Sequence, residues 1–177
     1  MRSLPEEPLR NGCVGELGVG HNMALRTFDQ PPSARAGWVR WGIVRARARA
    51  LIEAYGVKTQ GPGAPIRTLS GGNVQRAVLA RELDDDARLL LVSNPVFGLD
   101  FAAVAEIHAR LLAARGRGAA VLLVSEDLDE LLALADRIVV MSEGRIVHEV
   151  AAEQADRQAL GAFMGGRAHA APREAVA

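Results

Sequence analysis

Eight consecutive residues, Leu69-Ser70-Gly71-Gly72-Asn73-Val74-Gln75-Arg76, have the types and spacing to do chemistry in this chain. A hydroxyl residue and two glycines stand before a run in which Val74, Val78, Leu79 and Leu83 recur at helical spacing, so the stretch predicts a glycine-rich helix N-terminus. Such an end attracts anions. Backbone N–H groups of the first turn have no partner within the helix, the macrodipole favours negative charge there, and Gly71 and Gly72 leave room for a phosphate to reach the backbone. Taken alone, the pattern reads equally as an ordinary Ser70 N-cap after a loop.

The flanking elements must position that helix end. Residues 1 to about 20 are rich in Gly and Pro and read as a loop with one short strand. Asn22 to Thr27 begins a helix that Asp29-Gln30-Pro31-Pro32-Ser33 breaks. From Trp38 to Tyr55 the residues Trp38, Trp41, Val44, Ala48, Leu51, Ile52 and Tyr55 fall on one helical face, which predicts an amphipathic helix with both tryptophans in the core and its arginines in water. Gln60-Gly61-Pro62-Gly63-Ala64-Pro65 is a turn-rich connector that delivers the glycine pair. Beyond it, Leu89-Leu90-Leu91-Val92 and Ala120 to Val124 are short apolar runs, the pattern of strands buried on both faces of a parallel sheet. Val104, Ile107, Leu111 and Leu112 between them space as a crossover helix, expected to be right-handed. A short helix over Asp127 to Leu134, a hairpin of 137–141 and 145–149 around Ser142-Glu143-Gly144, and a last helix over about 153–163 complete the reading. Ligands of an open parallel sheet gather beyond the C-terminal ends of its strands. Ser93-Asn94-Pro95, Phe97-Gly98-Leu99-Asp100 and Ser125-Glu126-Asp127 are therefore expected to converge near the anion site.

Twenty-one basic residues balance twenty-one acidic ones over 177 residues, so no global charge draws the chain to nucleic acid or to an anionic membrane. Lys58 is the one lysine and Cys13 the one cysteine, which excludes an internal disulfide framework and suits a reducing, cytoplasmic setting. No stretch has the pattern of a signal peptide or a membrane span, and any membrane contact is expected to run through partners.

With these motifs in place, the sequence resembles the ATP-binding cassettes of ABC transporters. Leu69-Ser70-Gly71-Gly72 with Gln75-Arg76 resembles their signature motif, Gly98-Leu99-Asp100 their D-loop, Leu89 to Asn94 their Walker B strand, and Val124 to Glu130 their switch region. Pro5-Glu6-Glu7 before Gly12, Asn22-Met23-Ala24-Leu25 and Asn73 are similar to the second cassette of the tandem ATPases of simple-sugar and nucleoside importers. The resemblance spans about residues 4–165. It implies an α/β fold, a partial P-loop NTPase with a parallel sheet core (about 84–165), an inserted helical subdomain (about 20–83) and a flexible tail (166–177). It further implies a cytoplasmic protein, peripheral on the inner membrane, whose partners are a complete cassette and membrane-spanning permease subunits, not nucleic acid.

The sequence departs from the family pattern in three ways. No Gly-x-x-x-x-Gly-Lys-Ser/Thr occurs in the sequence, and Lys58 after Val57 cannot serve as the phosphate-holding lysine, so the chain reads as starting after the P-loop half. Ser93 and Asn94 stand where the family places a magnesium-holding Asp and a catalytic Glu, and Glu126 stands where it places a histidine. A hydroxyl brings no charge to a metal, an amide cannot take a proton from water, and a carboxylate repels a γ-phosphate. No intact catalytic residue and no metal ligand is expected. Ser70, Gly71 and Gly72, supported by Asn73 and Gln75, with Asp100 from the D-loop, are expected to contact ATP held by a partner cassette, with Mg2+ reaching the site only through that partner. The alternatives are a docking or regulatory module without catalysis, and a truncated gene product. An ATPase head of the DNA-repair type is disfavoured because no sustained heptads are present.

Overall fold

The computed structural model describes residues 1–83, 87–96 and 99–165. The chain divides into two compact units, residues 1–124 and 125–177.

In the first unit β1 (Arg2–Leu4), β4 (Leu89–Ser93) and β5 (Ala120–Val124) form a parallel sheet in the order β1-β4-β5. Leu4 pairs with Val92 and Val92 with Leu123. Between β1 and β4 run α1 (Pro8–Asn11), α2 (Val19–Ala24), a two-stranded ribbon of β2 (Ala34–Arg35) and β3 (Trp38–Val39), α3 (Trp41–Ala54), a 3-10 turn (Ile66–Thr68) and α4 (Gly71–Leu83). Pro8 opens α1, where its missing N–H costs nothing. Helix α2 packs on both α3 and α4, and α4 also packs on β1.

Helix α4 is the spine of this unit. Every residue from Val74 to Leu83 except Arg76 is buried, the polar Gln75, Arg81 and Glu82 among them.

Helix α5 (Phe101–Gly116) crosses from β4 to β5 and buries Ala103, Ile107, Leu111 and Ala114, spaced four, four and three residues apart. Burying an Ile or Leu side chain contributes about 1.5–3 kcal/mol, so this stripe holds the crossover.

In the second unit α6 (Leu128–Leu134) precedes an antiparallel hairpin of β6 (Arg137–Ser142) and β7 (Arg145–Ala151), a 3-10 turn (Ala152–Gln154) and α7 (Arg157–Met164). Glu143 and Gly144 at the hairpin turn both have positive φ, 50° and 75°, as a two-residue turn matching strand twist requires. Leu160 of α7 is fully buried in a core with Ile138 and Val140. Phe163 stacks on His148 at 4.1 Å. Asp127 and Asp156 cap α6 and α7, their carboxylates accepting from backbone N–H groups of the first turn.

The parallel sheet, the crossover helix and the hairpin agree with the sequence pattern. Several boundaries and burials do not. The helix predicted from Trp38 begins at Trp41, because Ala36 and Gly37, at φ 50° and 82°, turn the preceding residues into the β2–β3 ribbon. Both tryptophans expected in the core are exposed, Trp38 at 80% and Trp41 at 46%. The buried stripe of α3 is Val44, Ala48 and Leu51. Strand β5 is not covered on both faces: Leu122 and Val124 are 59% and 57% exposed. It is an edge strand of the sheet among the described residues, and its side chains alternate between exposed and half-buried. The N-terminal segment holds α1 besides its strand. The helix expected from Asn22 starts three residues earlier, and the last helix is split by a break at Ala155-Asp156. Residues 166–177, expected to form a tail, lie outside the described residues, as do Phe97 and Gly98.

Candidate functional site

The glycine pair opens α4 as its sequence predicts. Leu69 is extended, and the Ser70 carbonyl accepts from the N–H groups of Asn73 and Val74 at 2.9 and 3.0 Å. Ser70 therefore sits at the N-cap, and the N–H groups of Gly71 and Gly72 fall in the first turn, where the helix offers no carbonyl.

The two glycines are not equivalent. A Cβ on Gly71 would meet nothing within 4 Å, whereas one on Gly72 would lie 3.0 Å from Leu99 Cδ2. Gly71 is exposed and borders open space. The absence of a side chain at Gly72 lets Leu99 pack against the helix.

The hydroxyl is held in place from within the chain. Asn73 Nδ2 donates to Ser70 Oγ at 2.8 Å, and Asn73 Oδ1 accepts the Lys58 backbone N–H at 2.7 Å. This uses both ends of the Asn73 amide and ties the helix start to the segment after α3. Sequence reasoning does not place Lys58 at this site. A 15-residue contact made by a backbone N–H leaves no mark in residue types, although the positive φ of Gly56, 57°, belongs to the turn that brings Lys58 round.

One turn into α4, buried Gln75 donates from Nε2 to the Pro95 carbonyl at 2.7 Å. Helix α4 is thus bonded to the turn that follows β4. Arg76 next to it donates to the Gly56 carbonyl at 3.2 Å and lies 3.6 Å from Glu106 of α5. Glu106 also pairs with Arg110 at 2.8 Å, and the Arg110 guanidinium covers the Tyr55 ring at 3.8 Å. The ends of α3, α4 and α5 are joined by this chain of contacts.

Asp100 has a local task besides any contact across an interface: its Oδ1 accepts the Ala103 N–H at 2.9 Å and caps α5. Ser93 ends β4. Asn94 follows with φ 43° and donates its N–H to the Val124 carbonyl at 2.8 Å. Asn is among the few residues that tolerate this left-handed backbone, so Asn94 suits the conformation it occupies. Glu126 belongs to the second unit. It is exposed, between Ser125, whose Oγ accepts the Asp127 N–H at 3.0 Å, and the α6 cap Asp127. The structure therefore brings together Ser70, Gly71, Gly72, Asn73 and Gln75 with Pro95 and Leu99, directly before Asp100. Among the described residues no three His, Cys, Asp or Glu side chains converge as a metal site, and no helix is long and apolar enough to cross a membrane.

No family model matches the chain. It is similar, at 42% identity over 163 residues, to the nucleoside import ATP-binding protein NupA of Lactococcus lactis, covering 92% of this chain and 32% of that protein. It is 40% identical over 165 residues to the glucose import ATP-binding protein TsgD13 of Haloferax volcanii and 37% identical over 163 residues to the guanosine import ATP-binding protein NupO of Bacillus subtilis, covering 92% of this chain in each case and 30% and 32% of those proteins. The chain thus spans about a third of the length of these relatives. Among solved structures, the ATP-binding cassette MJ0796, in a dimer bound to ADP and phosphate, superimposes with a TM-score of 0.69 at 20% identity, over 85% of this chain and 62% of that one. The ATP-binding subunit of an ABC transporter gives a TM-score of 0.72 at 17% identity, over 93% of this chain and 68% of that one. The chain has the fold of an ATP-binding cassette and is similar, along nearly its whole length, to the ATP-binding proteins of nucleoside and sugar importers.

Proposed function

We propose that this chain supplies the signature and D-loop side of a composite ATP site in an importer ATPase for nucleosides or simple sugars, in the manner of a second cassette. The observation that carries this reading is the packing of Gly72 on Leu99. It sets the open helix end at Gly71 beside the segment that leads to Asp100, so one face offers both elements to a nucleotide held elsewhere. The donor set fits a phosphate: two glycine N–H groups at a helix start, the Ser70 hydroxyl clamped by Asn73, and room before Gly71. A bound nucleotide would supply the phosphate that joins two cassettes. In this reading the P-loop that faces it belongs to the partner cassette.

Ser93 and Asn94 bring no carboxylate to a magnesium ion or to an attacking water, so turnover belongs to the partner's residues, and Mg2+ arrives with the partner's nucleotide. Residues of about 20–83 would pass the closure of the pair to permease subunits at the cytoplasmic face of the membrane, with about 84–165 serving as the sheet core.

The test is ATP hydrolysis by a complete nucleoside-importer cassette with and without the purified chain. Stimulation by the parent chain and its loss with Ser70→Arg are expected. Equal stimulation by Ser70→Arg would replace the composite site with plain docking. Turnover by the chain alone that survives Asn94→Ala would contradict the roles assigned to this site.

A further inference from the structure

On the first unit, away from the glycine pair, the segment 30–52 contains Arg35, Arg40, Arg45, Arg47 and Arg49 and not one acidic residue, although the whole chain is charge-balanced. It also contains both tryptophans of the protein. The fold displays these residues together. Arg35 and Trp38 are directly paired across the β2–β3 ribbon, and the two-residue turn at Ala36-Gly37 holds that pair at its tip. The ribbon leads at once into α3, where Trp41, Arg45 and Arg49 follow at intervals of four and so line one side of the helix; all three are exposed. His21 of α2 meets the Trp41 ring edge-on at 5.0 Å and braces it in its outward position. Asp29 and Glu53 flank the segment, Asp29 lining a shallow cleft with Arg35 and Arg40, and Glu53 ending the Trp41 row.

Burial would have been simple for a tryptophan in a helical subdomain with an apolar interior. Two exposed indoles interleaved with exposed guanidinium groups instead match the chemistry of an interface between hydrocarbon and anionic headgroups, where indole rings settle at the boundary and arginines meet lipid phosphates. A nucleic acid would ask for a longer basic track than this one local cluster of arginines provides.

We propose that the ribbon tip and the outer face of α3 form a contact surface for anionic lipid headgroups, with Trp38 and Trp41 entering the interface and Arg35, Arg40, Arg45 and Arg49 pairing with phosphate. This surface is separate from the nucleotide contacts proposed above and does not depend on them.

Because Trp38 and Trp41 are the only tryptophans, intrinsic indole fluorescence reports this surface and nothing else. The full chain is titrated with vesicles of phosphatidylglycerol and phosphatidylcholine, and with phosphatidylcholine alone, at low and at physiological salt. A blue shift with anionic vesicles that weakens with salt, together with quenching by lipids brominated near the headgroup, is expected. Arg45→Gln with Arg49→Gln, both exposed and far from the core stripe of α3, is expected to lower vesicle partitioning about 25-fold, roughly fivefold for each arginine. Circular dichroism of the double variant should match the parent. Absence of a blue shift at low salt, equal partitioning by the folded double variant, or a shift produced by a DNA duplex and not by anionic vesicles would each overturn the proposal.

Discussion

The Gln75 side-chain amide donates to the Pro95 carbonyl across 2.7 Å, and both residues are buried. This bond links α4, one turn in from its start, to the turn after β4. Removing the donor leaves a buried carbonyl without its partner, at a cost of about 1–3 kcal/mol. Gln75→Leu should therefore lower the urea midpoint of unfolding with an unchanged denaturant slope. It should also reduce stimulation of a partner cassette more than the stability loss accounts for, measured where both proteins remain folded. A Gln75→Leu protein of parental stability would show that the bond is not maintained in solution.

Gly71 and Gly72 separate binding from packing. Alanine at 71 meets open space, and alanine at 72 must move the end of the Leu99 side chain by a few tenths of an ångström. Near a helix start the gain in propensity from Gly to Ala is below about 1 kcal/mol. Gly71→Ala should then be as stable as the parent or slightly more so, and Gly72→Ala within about 1 kcal/mol of it. Under the composite-site reading Gly71→Ala should lose partner stimulation, since a methyl group there stands in the open space before the helix end, whereas Gly72→Ala, whose methyl meets Leu99, should lose less. Full stimulation by a stable Gly71→Ala variant would remove the phosphate from that helix end.

Much of this arrangement is legible in the sequence. Helix period and the Ser-Gly-Gly start place α4, the apolar runs place β4 and β5, and the Ser142-Glu143-Gly144 turn signal places the β6–β7 hairpin. What failed did so for physical reasons. The Trp38 to Tyr55 periodicity fits a helix throughout, but Ala36-Gly37 can also close a tight turn, and periodicity does not reveal which local choice wins. An apolar run such as Ala120 to Val124 says that burial is available, not which faces of the strand are covered. The Asn73 clamp on Ser70 and the Lys58 N–H depends on a long-range approach of backbone, which residue types do not encode. Asp100 is a D-loop residue by resemblance alone, whereas its role as the cap of α5 follows from its place before a helix.

A buried ion pair fixes the other end of α4. Glu82 accepts from Arg81 Nε at 2.7 Å and lies 3.3 Å from Arg26 Nε, while Arg81 Nη1 donates to the Gly12 and Asn22 carbonyls at 2.7 and 3.3 Å. Both Arg81 and Glu82 are almost fully enclosed. Breaking such a pair by removing one partner strands a charge and costs about 3–5 kcal/mol. Glu82→Ala should destabilise the chain by that amount in urea unfolding. Arg81→Met together with Glu82→Leu should recover much of the loss, because no buried charge then remains. Additive losses in the double variant would mean that the two side chains do not act as a pair.

Cys13 gives the same region a chemical probe. Its thiol lines a cleft with Arg10, Arg26 and Arg81. Burial pushes its pKa above the ordinary thiol value, and the Arg81 guanidinium opposes that rise only in part. Burial favours the neutral thiol, so the reactive thiolate forms at higher pH in the folded chain than in the unfolded one. The rate of alkylation by iodoacetamide should thus climb at a more alkaline pH in buffer than in urea. The sign carries over to stability: the thiol's contribution is fully present below the unfolded pKa and is lost as pH rises through the folded one. Cys13→Ser should flatten that alkaline slope, since a serine hydroxyl does not ionise in this range. Native and urea-unfolded chains alkylating with the same pH profile would show that the Cys13 thiol is solvated in the folded protein, and that the cleft beside Arg81 is open to water.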